Sequence, residues 1–245
     1  YMRICIYGAG AMGTSLGVLL DEMSLDFISH DAEHVTAMNA SGALIEGALT
    51  RCVKVRAKLP SGMEGQYDII ILAVKQRENE SAAKFLLPFL KEDGALVTVQ
   101  NGLPEYGLAQ TFGKDRVYGC TLSWSAEKVS PGVVRVTSDT GFRLALGAYG
   151  TGKKLDLLAA FLGRAGMLAV GDLGEIRYAK LRVNASFSTL SALSGLTFLQ
   201  LAKKEKKLVL ALMREVFAVA RANGCSRLPQ NGHDLMKVFG GKFAS

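Results

Sequence analysis

Cysteine is scarce in this sequence and widely scattered. The 245 residues contain four cysteines, at Cys5, Cys52, Cys120 and Cys225, and no two of them form a C-x-x-C pair. Together with only three histidines they lack the spacing of a zinc site. We therefore expect isolated, buried thiols of a reducing compartment and no metal centre.

Long hydrophobic runs are also missing. A membrane-spanning helix needs about 20 consecutive apolar residues. Residues 4–20 are the one stretch that resembles a signal peptide, but a glycine-rich pattern breaks this run and predicts a strand, a turn and a helix instead. We expect a cytoplasmic protein with no membrane partner.

Acidic residues are outnumbered, with 22 Asp+Glu against 29 Lys+Arg and a formal net charge of +7. Such a balance fits nucleic acid, an anionic membrane surface or an anionic small substrate. The densest basic cluster, Lys203, Lys204, Lys206 and Lys207, leads into an apolar helix without interleaved aromatic residues. This pattern favours the solvated start of a helix over a nucleic-acid surface, so we expect an anionic small-molecule partner and no nucleic acid.

Short apolar runs alternate with helical patterns in the first part of the chain. Strands are predicted at residues 3–7, 25–29, 67–74 and 95–99, and helices at residues 14–20, 32–39 and 78–90. The run at 67–74 is continuously apolar behind an acidic residue, which is typical of a strand buried on both faces. This alternation indicates right-handed β-α-β units and a doubly wound sheet.

The pattern changes twice further along the chain. Residues 117–146 alternate with a period of two around a Pro131-Gly132 turn, and we expect these strands to complete the same sheet, antiparallel at its edge. A helix at 153–165 and a strand at 167–170 follow. Helices are then predicted at 176–193, 206–222 and 232–239, so we place a domain boundary near Gly171 and expect domains at 1–171 and 172–245.

A G-x-G-x-x-G pattern follows the first predicted strand. It consists of Gly8, Ala9, Gly10, Ala11, Met12 and Gly13. The first glycine allows a tight turn, the second lets the backbone approach a pyrophosphate, and the third permits close helix–strand packing. The helix that follows offers unpaired N–H groups to the phosphates. Residues 1–171 are therefore predicted to form a Rossmann domain that binds NAD or NADP, the alternative being a glycine turn without a ligand.

An acidic residue about twenty positions past the glycines normally binds the adenosine ribose hydroxyls and repels a 2′-phosphate. Asp31 stands close to that place and is flanked by His30 and His34, while Lys75 after the next buried strand could reach the same pocket. The alternatives are a surface Asp31 and ordinary solvated histidines. These residues leave the choice between NAD and NADP open.

Lys180, Asn184 and Ser188 stand at i, i+4 and i+8, and on an α-helix they would share one face. The rest of the segment is largely apolar or small, which favours a helix that lines a cleft; the alternative is a Lys180 that points to solvent. A positioned ammonium can stabilise and protonate the oxygen of a ketone under reduction. Asn184 and Ser188 could then hold the carboxylate and hydroxyl of the substrate.

These residues together resemble the ketopantoate reductases. The matching segments are the glycine pattern, Ala73-Val74-Lys75, Gln100-Asn101-Gly102 and Lys180-Leu181-Arg182-Val183-Asn184. Their order and spacing match over nearly the whole chain. The resemblance implies an α/β fold with an N-terminal Rossmann domain and a smaller all-α domain of the 6-phosphogluconate dehydrogenase C-terminal type.

The resemblance also implies an activity and roles for residues. It implies reduction of 2-dehydropantoate to pantoate by NADPH, a step toward pantothenate and coenzyme A. Lys180 would be the general acid, Asn184 a substrate ligand, and Asn101 would lie between nicotinamide and substrate. Lys75 would serve the cofactor.

Three departures from the family pattern stand out. Ser188 replaces a second asparagine, and Asp31 replaces a basic residue, which makes NAD the alternative cofactor. The family also continues past Ser245 with a serine-containing helix and a catalytic glutamate, so we expect a truncated second domain. Two other functions stay open: a related dehydrogenase of another 2-keto or hydroxy acid, and a non-catalytic NAD(P)-binding regulator. The helical domain could pair with a copy of itself as a homodimer.

Overall fold

The computed structural model describes residues 2–21, 24–137 and 141–226. The chain divides into two compact units, Tyr1–Val170 and Gly171–Ser245. The first unit combines helices and strands, and the described part of the second unit is helical. The helix predicted over residues 232–239 lies outside the described residues.

The first unit contains strands of three to nine residues. They are β1 (Ile4–Tyr7), β2 (Leu25–Ile28), β3 (Ala43–Gly47), β4 (Arg51–Val53), β5 (Arg56–Lys58), β6 (Tyr67–Leu72), β7 (Leu90–Thr98), β8 (Val117–Leu122), β9 (Ala126–Ser130), β10 (Val133–Val136), β11 (Arg143–Ala148) and β12 (Met167–Val170). Its α-helices are α1 (Ala11–Leu20), α2 (Ala32–Ser41), α3 (Asn79–Leu86), α4 (Glu105–Phe112) and α5 (Leu155–Leu162).

In the described part of the chain the main sheet has eight strands, in the order β12-β11-β8-β7-β6-β1-β2-β5. Neighbouring strands are parallel except for β8 and β11, which pair antiparallel. Strand β1 pairs with β2 on one side and with β6 on the other. The order of the strands along the chain therefore changes direction at β1. The predicted doubly wound sheet with an antiparallel pairing near one edge is confirmed.

Two hydrophobic cores cover the two faces of this sheet. Along β6, Ile69 and Ile71 belong to one core, whereas Ile70 and Leu72 belong to the other. Successive side chains of a strand point to opposite faces, so a strand buried on both sides must be apolar throughout. This explains the continuous apolar run that predicted β6.

A second sheet of four strands, in the order β4-β3-β10-β9, packs beside α1 in the same unit. We expected Val133–Val136 to extend the main sheet, and this prediction is wrong because β10 pairs with β3 and β9 instead. Strands β3, β4 and β5 were not predicted. With three to five residues each, they are too short for a clear period of two.

Two helices of the first unit differ from expectation. The helix predicted over residues 78–90 ends at Leu86, a short 3-10 turn follows, and β7 already begins at Leu90. Pro88 lies in that turn, where it has no N–H to continue the helical ladder. Helix α4 was not predicted.

The described part of the second unit contains α6 (Leu173–Val183), α7 (Thr189–Ser194), α8 (Phe198–Lys204) and α9 (Lys206–Ala222). One helix was expected over residues 176–193, but a π-helical segment, Asn184–Ser188, separates α6 from α7. Leu193, one of the apolar residues of this segment, is 81% exposed. Among the described residues no helix is long and apolar enough to cross a membrane.

Two sequence interpretations of surface residues need correction. The basic cluster does not form one helix start, because Lys203 and Lys204 end α8 while Lys206 and Lys207 begin α9. All four are exposed. Cys52 is exposed as well, whereas the other three cysteines are buried as expected.

His34 is fully buried and joins three parts of the first unit. Its Nδ1 accepts a hydrogen bond from the backbone N–H of Gly132 at 2.9 Å, and its Nε2 lies 3.1 Å from the Thr14 Oγ1. Because a backbone N–H can only donate, Nδ1 is unprotonated and the proton of the neutral ring is on Nε2. Burial, with help from the charge of Lys128, lowers the pKa of His34. The alternative of a solvated His34 is therefore excluded.

This arrangement predicts a pH-dependent stability. The unfolded chain binds a proton at His34 near the ordinary pKa of 6.5, whereas the folded chain binds it only at lower pH. The free energy of unfolding should therefore fall as the pH drops below 6.5, by up to about 1.4 kcal/mol per pH unit, and level off below the folded pKa.

Urea unfolding of the wild type and His34→Gln between pH 7.5 and 5.5 checks this prediction, with exposed His30→Gln as the control. The His34→Gln curve should be flatter. If that variant does not fold, an NMR titration of the wild-type His34 ring replaces it, and a pKa at or above 6.5 would contradict the prediction.

Candidate functional site

The turn between β1 and α1 passes in close contact with the loop after β6. Gly8 has a φ of +99°, and a Cβ built on it would lie 2.7 Å from the Val74 backbone N and 2.8 Å from the Ala73 carbonyl carbon. No other residue fits this place, because the backbone lies in the left-handed region and the space is already filled. Gly8 therefore allows the Ala73–Val74 backbone to pack directly against the turn.

Gly13 and Gly10 play different parts in the same turn. A Cβ on Gly13 would approach the Gly8 carbonyl oxygen to 2.4 Å, so this glycine permits close packing of α1 on the turn. A Cβ on Gly10 would meet nothing within 4 Å. The surface above Gly10 is thus open to an outside group, which is the role of the middle glycine in a dinucleotide-binding turn.

The start of α1 suits an anion. Gly10 is the N-cap of this helix, and it provides no side chain to cap the first N–H groups. These N–H groups have no intrahelical acceptors, and the helix dipole places partial positive charge there. The turn therefore fits a dinucleotide pyrophosphate, with Gly8 to Gly13 as the residues that would hold it.

The ends of three parallel strands bring other predicted residues to this edge of the sheet. The Ala73 N–H donates to the Tyr7 carbonyl oxygen at 2.8 Å, and the Val99 N–H donates to the Leu72 carbonyl oxygen at 3.0 Å. The segments that follow β6 and β7 are therefore aligned with the glycine turn. Lys75 and Asn101 lie on these segments, and both are exposed.

Sequence reasoning missed the function of Gln100, which holds the two segments together. Its Nε2 donates to the Val74 carbonyl oxygen at 2.7 Å and to Asn79 Oδ1 at 2.6 Å, and its Oε1 accepts from Thr98 Oγ1 at 3.0 Å. Gln76 donates to the Asn101 carbonyl oxygen in addition. A buried amide with several partners rigidifies its surroundings. The polar residue at the end of an apolar strand was the available signal.

Asp31 caps α2 close to the same edge. Its Oδ1 accepts from the His34 N–H at 2.9 Å, and its Oδ2 accepts from the Lys128 Nζ. The bond from Lys128, followed by the bond from the His34 backbone, lowers the pKa of Asp31, so the group is ionised at neutral pH. Lys128 lies on β9, 97 residues away in the sequence, and no local pattern pointed to this ion pair.

The second unit holds the other predicted residues on one helical stretch. Lys180 lies on α6 and is half-buried, and this burial lowers its pKa. Asn184 begins the π-helical segment and is half-buried, whereas Ser188 ends it and is exposed. The α-helical spacing assumed for Ser188 is wrong, because i→i+5 hydrogen bonds rotate later side chains away from the face of an α-helix.

Arg182 is a further cation on α6 that the sequence analysis gave no role. Its Nε atom is buried and has no hydrogen-bond partner among the described residues. Burial also lowers the pKa of Arg182. Residues two apart on an α-helix do not face each other, so Arg182 and Lys180 are on different sides of α6.

The two glycine environments predict opposite effects for two matched substitutions. Gly10→Ala should keep its stability, because its Cβ meets only open space, but it should weaken binding of a nicotinamide dinucleotide about tenfold or more by blocking the pyrophosphate. Gly13→Ala should lose about 1–3 kcal/mol of unfolding free energy through its clash with Gly8. Urea unfolding and a fluorescence titration with NADH and NADPH measure both effects. Unimpaired binding of both dinucleotides by Gly10→Ala would refute the assignment of the turn.

Comparison with known proteins agrees with the family resemblance seen in the sequence. The family described as ketopantoate reductase PanE/ApbA matches residues 4–150, and its C-terminal counterpart matches residues 172–239. The 2-dehydropantoate 2-reductase of Mesorhizobium japonicum is 28% identical, and the match covers 91% of this chain and 77% of that protein.

Solved structures show the same fold. The 2-dehydropantoate 2-reductase of Geobacter metallireducens superimposes with a TM-score of 0.84 at 27% identity, covering 100% of this chain and 85% of that one. A D-mandelate dehydrogenase solved with NADH and anilino(oxo)acetate gives a TM-score of 0.82 at 24% identity, covering 97% and 78%. The resemblance seen in the sequence is therefore confirmed: the chain belongs to the ketopantoate reductase family of NAD(P)-dependent oxidoreductases.

Proposed function

We propose that this protein reduces 2-dehydropantoate to pantoate and that Lys180 is the proton donor. The observation that carries this proposal is the half-buried ammonium of Lys180, whose pKa is lowered by its surroundings. In a family of oxidoreductases, a half-buried lysine with a lowered pKa is a candidate for an acid–base group. Its place in the sequence also matches the lysine expected from the family resemblance.

The chemistry needs two groups to reach the ketone. A bound reduced nicotinamide supplies the hydride that adds to the carbonyl carbon. Lys180 stabilises the negative charge that develops on the carbonyl oxygen and then donates a proton to it, which gives the alcohol. Burial brings the pKa of Lys180 closer to neutral pH. A group with such a pKa can both donate a proton and recover it efficiently.

Three polar side chains are proposed to bind the keto acid. Asn184 follows Lys180 by four residues, and its amide can donate to the carboxylate or accept from the hydroxyl of the substrate. Ser188 and Asn101 are exposed hydrogen-bonding groups and are proposed as further substrate ligands. The net charge of +7 suits an anionic substrate.

The cofactor and the cellular role extend this proposal. The family resemblance favours NADPH, with Lys75 and the glycine turn as its ligands, whereas Asp31 favours NADH. Pantoate would feed pantothenate and coenzyme A synthesis, and we propose a cytoplasmic location. The helical unit is proposed to pair with a second copy of itself.

A steady-state assay tests the substrate. NADH and NADPH oxidation is followed over a range of concentrations of 2-dehydropantoate and, in parallel, of 3,3-dimethyl-2-oxobutanoate, which lacks only the 4-hydroxyl group. We expect kcat/KM to be about tenfold or more higher with 2-dehydropantoate, because its hydroxyl finds a hydrogen-bond partner. Turnover of another 2-keto acid alone would indicate a different dehydrogenase, and tight dinucleotide binding without any turnover would indicate a regulator.

Lys180→Ala tests the proton donor. We expect kcat to fall by about two orders of magnitude or more while dinucleotide affinity stays unchanged, because the general acid acts only in the chemical step. Lys203→Ala, which removes an exposed lysine from α8, is the matched control and should keep its activity. Wild-type-like turnover of Lys180→Ala would exclude the role.

The pH dependence of kcat/KM provides a second test of Lys180 as the proton donor. The donor must be protonated, so wild-type kcat/KM should fall as the pH rises through the pKa of Lys180, which lies below its ordinary value of 10.5. Lys180→Ala should lack this alkaline limb. A limb that persists in Lys180→Ala would assign it to another group.

A further inference from the structure

We propose that Asp31 and Lys128 together set the cofactor preference of this protein. Asp31 would select NADH by accepting the adenosine ribose hydroxyls. Lys128 would be a latent 2′-phosphate ligand, which the Asp31 carboxylate keeps occupied. This inference rests on the proposed function only in requiring that a nicotinamide dinucleotide binds at the glycine turn.

The backbone ties Asp31 to the glycine turn. The N–H groups of Gly8 and Ala9 both donate to the Ile28 carbonyl oxygen, at 2.9 Å and 2.8 Å. Ile28 is the last residue of β2, three positions before Asp31. The Asp31 N–H also bonds the Ser29 Oγ at 3.2 Å. The carboxylate therefore has a fixed place beside the turn that would hold the pyrophosphate.

The Asp31 carboxylate retains acceptor capacity for a ligand. Its two oxygens offer about four lone-pair sites. The His34 N–H uses one of these sites and the Lys128 ammonium uses another. The carboxylate is 37% exposed, so the remaining sites can accept ribose hydroxyls from the solvent side. The same negative charge repels a 2′-phosphate.

The second sheet presents Lys128 to Asp31 in a defined way. Lys128 lies on β9, which pairs with β10 at the edge of this sheet. The turn between the two strands is anchored to α2, because the Gly132 N–H donates to the buried His34 Nδ1. Two separate contacts therefore join this hairpin to the start of α2, one at Gly132 and one at Lys128.

Lys128 can be released from this pair. Its side chain is 40% exposed, and exposed ion pairs contribute little to stability, so the ammonium can leave Asp31 at small cost. NADPH, however, would have to draw Lys128 away and place its 2′-phosphate beside the uncompensated carboxylate. NADH makes no such demand. The pair therefore favours NADH as long as Asp31 is charged, and removing that charge turns Lys128 into a phosphate ligand.

Equilibrium binding of NADH and NADPH without any keto acid tests this inference. Isothermal titration calorimetry of the wild type should show that NADH binds at least about tenfold more tightly than NADPH. Asp31→Asn keeps an N-cap acceptor for the His34 N–H but loses the charge, and it should shift the affinity ratio about tenfold or more toward NADPH. Lys128→Met should leave NADH affinity within about threefold, and in the Asp31→Asn background it should abolish the gain for NADPH.

The control is the exposed Glu80–Lys84 pair on α3, replaced as Glu80→Gln and Lys84→Met, which should leave both affinities unchanged. If Asp31→Asn is unstable in a thermal melt, Asp31→Ser, also a good N-cap, takes its place. A wild type that prefers NADPH, or an affinity ratio that Asp31→Asn and Asp31→Ser do not change, would overturn the inference. Because no keto acid is present, failure of the proposed reaction would leave this result intact.

Discussion

The first unit depends on a backbone contact that only glycine permits. At Gly8 and Gly13 the turn after β1 comes so close to the loop after β6, and to itself, that an added Cβ would lie within 3 Å of backbone atoms. This contact aligns α1, with its open N-terminus, against the ends of the central parallel strands. A Cβ added at the neighbouring Gly10 would meet nothing within 4 Å. The same short segment therefore combines tight packing on its inner side with an open surface that would suit an anion.

The charged groups around the turn follow from the second sheet. Its hairpin contacts α2 through a buried histidine, and its Lys128 forms an ion pair with the carboxylate at the start of that helix. A Rossmann domain without this sheet would leave Asp31 without its cation. In this chain a small addition to the fold controls the charge that the adenosine end of a dinucleotide would meet.

Much of this could be predicted from the sequence because the signals are local. The glycine pattern, the apolar run of β6 and the helix over Lys206–Ala222 each occupy one short segment, and the structure confirms them. The sheet to which Val133–Val136 belongs was predicted wrongly, since pairing with β3 depends on residues far away. The Asp31–Lys128 pair and the burial of His34 are equally non-local. The π-helical segment at Asn184–Ser188 has the same apolar and small residues as an α-helix, so spacing alone did not reveal it.

The proposed reaction and the proposed cofactor preference both require that the glycine turn binds a pyrophosphate. The most direct test of this binding is an NMR titration of the isotopically labelled protein with NADH, in which each backbone amide is followed separately. The account predicts that the largest shifts occur at Gly10, Ala11 and Met12, whose N–H groups would meet the phosphates, with a second set at Asp31 and His34. Saturation of the protein with NADH while these amides stay unchanged would contradict it.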